Sequence, residues 1–223
     1  MNLNTPNKIK EDYQSSRNIW RESFKRCFDI LGSLLILLFI APILVVISIL
    51  ILVLDGRPVL FKQKRTGKDG IDFDIFKFKT MKKITADDIE KNRLKYDWEN
   101  GVPENFVFKG SYNPNITKIG YFLRKFSLDE LPQFLNVLNG KMSIVGPRPE
   151  IPEITSRYSK HQELRLLVKP GITGYAQING RSEMSHGDKI KYDLYYVNNQ
   201  SVKLDLKIFF ITIYQSLSGK GAY

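Results

Sequence analysis

The chain has 223 residues, a formal net charge of +11, one cysteine and two histidines. That length can bury a core in one domain plus an appendage, and a hydrophobic share of 43% excludes wholesale disorder. A lone Cys27 forms no internal disulfide, which fits a reducing compartment, and so few Cys and His residues make a poor zinc site.

The excess of basic residues points to polyanionic partners: nucleic acid, anionic headgroups or phosphorylated substrates. Residues 1–29 are polar and mixed in charge, and Arg17, Trp20, Arg21, Phe24, Lys25, Arg26 and Phe28 suit a membrane interface. A secretory signal is a poor reading, because the apolar run starts late and no small-residue cleavage site follows it.

Residues 30–54 are apolar except for Gly32, Ser33 and Ser48 and are bounded by Asp29 and Asp55. Length alone allows a bilayer span, which needs about 20 apolar residues. Two details favour a re-entrant course. Pro42 near the middle removes a helix hydrogen bond and frees the carbonyl of Leu38. Both flanks are basic: Arg21, Lys25 and Arg26 before, then Arg57, Lys62, Lys64, Arg65 and Lys68 after. The positive-inside rule keeps both clusters on the cytoplasmic side if the helix bends at Pro42 and returns.

Residues 55–223 follow as the remaining domain. Residues 58–81 read as two strands around a turn at 66–70. Val59, Phe61, Phe73, Ile75, Phe76 and Phe78 supply apolar faces, and Lys62, Lys64, Arg65, Lys77 and Lys79 supply charge. That charge is either a solvated face or a cationic wall for phosphates. Residues 82–109 carry many charges of both signs and read as a surface insert. Thr117 is then expected to cap a helix whose apolar stripe is Ile119, Phe122, Leu123 and Phe126, with Arg124 off the stripe.

Ser127-Leu128-Asp129-Glu130 has the spacing of a capping box, in which Glu130 closes a helix start. Pro132 favours a first helical position and instead leaves both acids just before the helix. In either case the carboxylates lie near a helix N-terminus and Arg124, which favours their ionised forms. One ionised carboxylate can attack phosphorus, and the other can hold Mg²⁺. A short helix over 132–139 stops at Gly140, and Pro147 and Pro149 fix the backbone around Arg148. Residues 151–168 read as one helix. Asn179-Gly180-Arg181 reads as a tight turn that exposes Arg181, and Ser185–Asp188 as a loop or helix cap rather than a triad. Residues 204–217 form an amphipathic helix that suits either the core or a membrane surface.

FKFKTM (76–81), RKFSLDELPQ (124–133), GKMSIVGPRPE (140–150) and KPGITGYAQINGR (169–181) occur in this order after a Pro-containing apolar segment. Together they resemble the bacterial sugar transferase family, the monotopic phosphoglycosyl transferases, over roughly residues 21–210. The resemblance implies a re-entrant membrane helix on the cytoplasmic face of the bacterial inner membrane. It implies Asp129 as nucleophile, Glu130 at Mg²⁺, and substrate contacts from Arg124, Arg148, Arg181 and Lys77. Lys79 stands where the family usually has Arg, the insert is longer than in the smallest members, and no counterpart appears of the multi-span region of the largest.

The expected fold is α+β and mostly helical: a single compact catalytic domain with an N-terminal Pro-kinked re-entrant membrane helix. The expected reaction moves a sugar-1-phosphate from a nucleoside diphosphate sugar, by resemblance a UDP-sugar, to undecaprenyl phosphate. Membrane lipid is a further partner, no nucleic acid is expected, and a homodimer stays open. The rival readings are a non-catalytic basic module that binds anionic lipid or nucleic acid, and a single-pass anchored protein.

Overall fold

The computed structural model describes residues 19–82, 98, 101–107, 115–180 and 184–218. Its first element is helix α1, Ile19–Leu54, 36 residues long, which is helical on both sides of Pro42. It begins before the apolar run because residues 25–29 dock on the domain. Lys25 Nζ pairs with Asp205 at 2.7 Å, and Arg26 donates to the carbonyls of Val137 (2.6 Å) and Leu138 (2.7 Å). Asp29 Oδ1 accepts from Ser143 Oγ at 2.9 Å and from the Ile144 amide at 3.0 Å.

The docked face continues along α1 at helical spacing. Ile36, Leu37 and Ile40 pack on the central core, and Leu44, Ile47 and Ile51 pack on a second cluster with Phe78 and Leu123. The opposite face is bare and apolar, with Leu31, Leu35, Leu38, Phe39, Val46 and Val53 exposed. Apolar area this continuous marks an interaction with lipid or protein. Among the described residues this is the one helix long and apolar enough to cross a membrane.

Strands β1 (Leu60–Thr66) and β2 (Asp72–Phe78) pair antiparallel, with Gln63 opposite Ile75, as the sequence predicts. Phe73, Ile75 and Phe78 are buried, whereas Phe61 is exposed. Lys62 and Lys64 are solvated, but Lys77 turns inward. From the insert, Val102 is buried with Ile154 and Tyr158, and Trp98 and Phe106 meet edge-on at 4.8 Å.

Helix α2 (Lys118–Lys125) is capped as expected, Thr117 accepting from the Gly120 amide. A β-carbon at Gly120 would collide with the Thr80 carbonyl, so glycine lets this helix lie against residue 80. The predicted stripe is only partly right. Leu123 is buried, but Phe122 is exposed and packs on Phe126, because the neighbouring core reaches only one edge of this short helix.

A 3₁₀ turn, Leu128–Glu130, leads to α3 (Gln133–Leu138), which Gly140 ends at φ +74°. Strands β3 (Ser143–Val145) and β4 (Gly171–Thr173) pair parallel and run through the core. The helix expected over 151–168 is broken into α4 (Pro152–Thr155), α5 (Lys160–Glu163) and a 3₁₀ turn, Leu164–Leu167. The break falls where Ser159 and Gln162 close a capping box that restarts the helix.

Residues 175–179 form helix α6 (Tyr175–Asn179), so Asn179 ends a helix and does not flank a hairpin. Ser185 caps α7 (His186–Asn198), and α8 (Val202–Leu217) follows. Ile208 on α8 is buried while Phe210, Tyr214 and Leu217 are exposed, so core packing and an open apolar face both occur on this helix.

Tyr196 ties three elements together. Its hydroxyl lies 3.0 Å from the Val145 carbonyl and 2.8 Å from Asp205 Oδ1. Tyr196→Phe is expected to cost about 1–3 kcal/mol, since buried acceptors lose their donor. Thermal unfolding in detergent measures this, and an unchanged midpoint would mean that the hydroxyl adds nothing.

Candidate active site

The dyad turn is set by a single backbone feature. Ser127 adopts φ +55°, the left-handed region, and its side chain makes no cap hydrogen bond. The capping box allowed by the sequence is therefore not formed. Left-handed backbone costs a non-glycine residue about 1–2 kcal/mol, and such strain concentrates at functional sites.

Past that reversal, Asp129 and Glu130 sit in different environments. Lys77 Nζ donates to Glu130 Oε1 at 2.8 Å. Arg148 grips the same carboxylate with two donors, Nη2 to Oε1 at 2.6 Å and Nη1 to Oε2 at 3.1 Å. Burial alone would push the Glu130 carboxyl up, but Arg148 and Lys77 outweigh it and hold the group well below its usual range. Burial pushes the Lys77 amine down, against the pull of Glu130. Glu130 in turn holds the Arg148 guanidinium above its usual value.

Asp129 is 8% exposed, and no hydrogen bond to its carboxylate is formed among the described residues. Burial and the neighbouring Glu130 charge push its carboxyl up, against Lys77, Arg124 and Arg148. The sequence reading placed both acids in a setting that favours ionisation. The structure separates them, because the cations pair with Glu130 and not with Asp129.

Three elements deliver these groups. Lys77 comes from β2, the dyad from the turn before α3, and Arg148 from the loop after β3. Asn136 on α3 fixes the first two relative to each other. Its side chain accepts from the Phe76 amide at 2.9 Å and donates to the Asp74 carbonyl at 2.7 Å, completing the free edge of β2. The sequence reading did not single out Asn136; the only signal was an amide among apolar neighbours in a short helix.

Arg124 lies at the end of α2 and donates from Nε to Thr80 Oγ1 at 3.0 Å, close enough to act on the Asp129 charge. Arg181 lies outside the described residues. Lys79 donates to the Asp55 carbonyl at 2.7 Å and so caps the end of α1. The reading also passed over the buried pair Arg165–Asp193, 2.7 Å apart, although a charge inside Leu164-Arg165-Leu166-Leu167 was a visible signal.

Among the described residues no group of three metal-ligating side chains occurs. Mg²⁺ needs only one or two carboxylates when phosphate and water supply the rest. Two adjacent carboxylates, with Glu130 Oε2 held only by the longer Arg148 bond, fit an ion that arrives with a phosphorylated substrate.

The bacterial sugar transferase family model matches residues 20–219. The chain belongs to the bacterial sugar transferase family. The galactosyl transferase CpsE of Streptococcus agalactiae serotype III (strain NEM316) is 42% identical over 199 residues, 89% of this chain and 43% of that protein. The UDP-glucose:undecaprenyl-phosphate glucose-1-phosphate transferase of Escherichia coli (strain K12) is 41% identical over 207 residues, 89% of this chain and 41% of that one. EpsL of Bacillus subtilis (strain 168), named an uncharacterized sugar transferase, is 39% identical and matched over 89% of its own length. The chain thus spans less than half of the first two relatives and most of the third.

Glu130→Gln leaves Lys77 and Arg148 without their shared charge in a buried site, a change expected to cost about 3–5 kcal/mol. The pH dependence follows the same group. The folded Glu130 carboxyl titrates below its ordinary 4.5, so its pairing supports the fold fully above that pH. The support fades as pH falls through the folded value. Thermal midpoints measured from pH 7 to pH 3 should fall on acidification in the wild type and fall less in Glu130→Gln. Parallel profiles would exclude this role for Glu130.

Proposed function

We propose that this chain transfers a sugar-1-phosphate from a UDP-sugar to undecaprenyl phosphate, in two steps through Asp129. The observation that carries this reading is the division of labour in the dyad. Asp129 is buried, makes no side-chain hydrogen bond among the described residues and feels the charges of Lys77, Arg124 and Arg148, while Glu130 is neutralised by Lys77 and Arg148. A carboxylate with no donor attached keeps its lone pairs for phosphorus.

In the first step an Asp129 oxygen attacks the phosphorus that carries the sugar. The bond from that phosphorus to the bridging oxygen breaks, and UMP leaves with this oxygen. An aspartyl phospho-sugar remains. In the second step an oxygen of the lipid phosphate attacks the same phosphorus and expels the Asp129 carboxylate. The product is a diphosphate-linked sugar on the lipid.

Arg148 suits the diphosphate. Its side chain remains 39% exposed, and three of its five N–H donors are left after two bind Glu130. Arg124 adds positive charge beside Asp129, and Arg181 is assigned to the substrate by family resemblance. Bound Mg²⁺ would offset negative charge on the diphosphate. The family of the chain and its similarity to the Escherichia coli enzyme named for UDP-glucose and undecaprenyl phosphate support this donor and acceptor.

The membrane reading rests on how α1 is held. At 1.5 Å per residue it is about 54 Å long, and the same domain packs against it on both sides of Pro42. A helix that crossed the bilayer would carry the charged surface of that domain into hydrocarbon, at a cost of several kcal/mol per unpaired polar group. A re-entrant course at the cytoplasmic face avoids this and sets the dyad near headgroup height.

Asp129→Asn should abolish UMP release from every member of a UDP-sugar panel assayed with Mg²⁺ and undecaprenyl phosphate. Substantial activity in this variant would overturn the nucleophile assignment. For topology, Cys27, which is exposed, is replaced by Ser, and single cysteines are placed at Phe24 and Lys62. Both should react with a membrane-impermeant thiol reagent from the cytoplasmic side only. Labelling from opposite sides would establish a span.

A further inference from the structure

Arg148 is only as well aimed as its backbone. Pro149 restricts the φ and ψ range of Arg148 and Pro147 fixes its own φ, but neither proline has an amide N–H to anchor the loop. The loop is held by its carbonyls instead, and all four are taken. Pro147 accepts from the Gly171 amide at 2.9 Å, and Glu150 accepts from the Thr66 amide at 2.9 Å. The middle two are bound by side chains. Arg165 Nη2 donates to the Arg148 carbonyl at 2.7 Å, and Arg65 Nη1 donates to the Pro149 carbonyl at 3.1 Å.

Both of these arginines are themselves fixed. Arg165 is 2% exposed, pairs with Asp193 and donates to the Tyr158 hydroxyl at 2.7 Å. Arg65 donates from Nη2 to Gln63 Oε1 at 2.8 Å, and its buried Nε has no hydrogen-bond partner among the described residues. Arg65 also lies close enough to Arg148 for their charges to repel. A fold that carries this repulsion and an unpaired donor gains something from the placement. Its visible product is the two-donor contact between Arg148 and Glu130.

We propose that Arg65, with Arg165 behind it, is a positioning residue that clamps the backbone of the Pro147–Pro149 turn, so that the Arg148 guanidinium meets Glu130 and the substrate diphosphate together. Arg65 acts through Arg148, because its Nε is sealed from solvent and its Nη1 and Nη2 are already bound to the turn and to Gln63. The proposal rests on the transferase reading for its activity test but not for its structural test.

The activity test is a double-mutant cycle on UMP release, with Arg65→Gln and Arg148→Gln made singly and together. A small displacement of a positioned group can cost about 10²-fold in rate, and Arg65→Gln is expected to lose activity on that order. Arg148→Gln should lose more. The double variant should be no worse than Arg148→Gln within about threefold, because residues that act as a unit are not additive. Arg65→Lys, which keeps the charge but replaces the two-nitrogen fork with one ammonium, should recover about tenfold of the loss, since one of two fixed contacts survives. Losses that multiply, or Arg65→Gln activity within twofold of wild type, would overturn the clamp.

The structural test follows the Arg148 Nε–H resonance in ¹⁵N-arginine-labelled protein in nanodiscs, assigned by its loss in Arg148→Gln. Arg65→Lys and Arg65→Gln should move it towards the position of a solvated arginine. An unmoved resonance in both variants overturns the clamp. A wild type that releases no UMP would overturn the transferase reading, and the resonance would still decide the clamp.

Discussion

Glu130 is the charge on which the site depends. It receives Lys77 from the β-hairpin and Arg148 from the loop after β3, so a single carboxylate joins three separate parts of the chain. Ion pairs at this degree of burial contribute little net stability, because desolvation offsets most of the attraction. What they supply here is geometry. With Glu130 removed, two cations would remain in a site of low polarity, and nothing would set their distance from Asp129.

The same pairing gives Asp129 its character. Two neighbouring carboxylates in a buried turn repel each other, and the cations resolve the conflict by neutralising only one. Arg148 still keeps donors for a phosphate, so a diphosphate entering the site would meet an aimed guanidinium and a carboxylate that no described residue hydrogen-bonds. The residue types needed for phosphoryl transfer are thus divided by environment.

Helix α1 connects this site to the apolar face of the molecule. Its polar start is built into the domain: Arg26 caps the end of α3, and Asp29 holds the start of β3. The helix that leads away from the dyad therefore ends on the base of the long apolar helix. Helix α3 is in turn pinned to β2 through Asn136. The apolar helix and the dyad turn are thus joined through α3.

Local rules were sufficient wherever the chain obeys local physics. The β1–β2 hairpin, the Thr117 cap, the Gly140 stop and the Ser185 cap are all legible, because each depends on a few neighbouring residues. The ordered motifs, with Asp129 and Glu130 as adjacent acids, also made the family readable from sequence. Three outcomes belonged to tertiary structure. Ser127 takes a left-handed turn that its capping-box spacing does not suggest, and the chain reverses there to bring the dyad under Lys77 and Arg148. Residues 151–168 split into short pieces around Ser159, since Gln162 also binds Val102 from the insert. Lys77 and Arg165 leave the solvated pattern of their neighbours for partners 53 and 28 residues away. Sequence determines which groups are present and which local turns form. Which carboxylate is neutralised is decided only when distant cations are brought within 3 Å of it, since a charge interaction depends on distance and burial and not on separation along the chain.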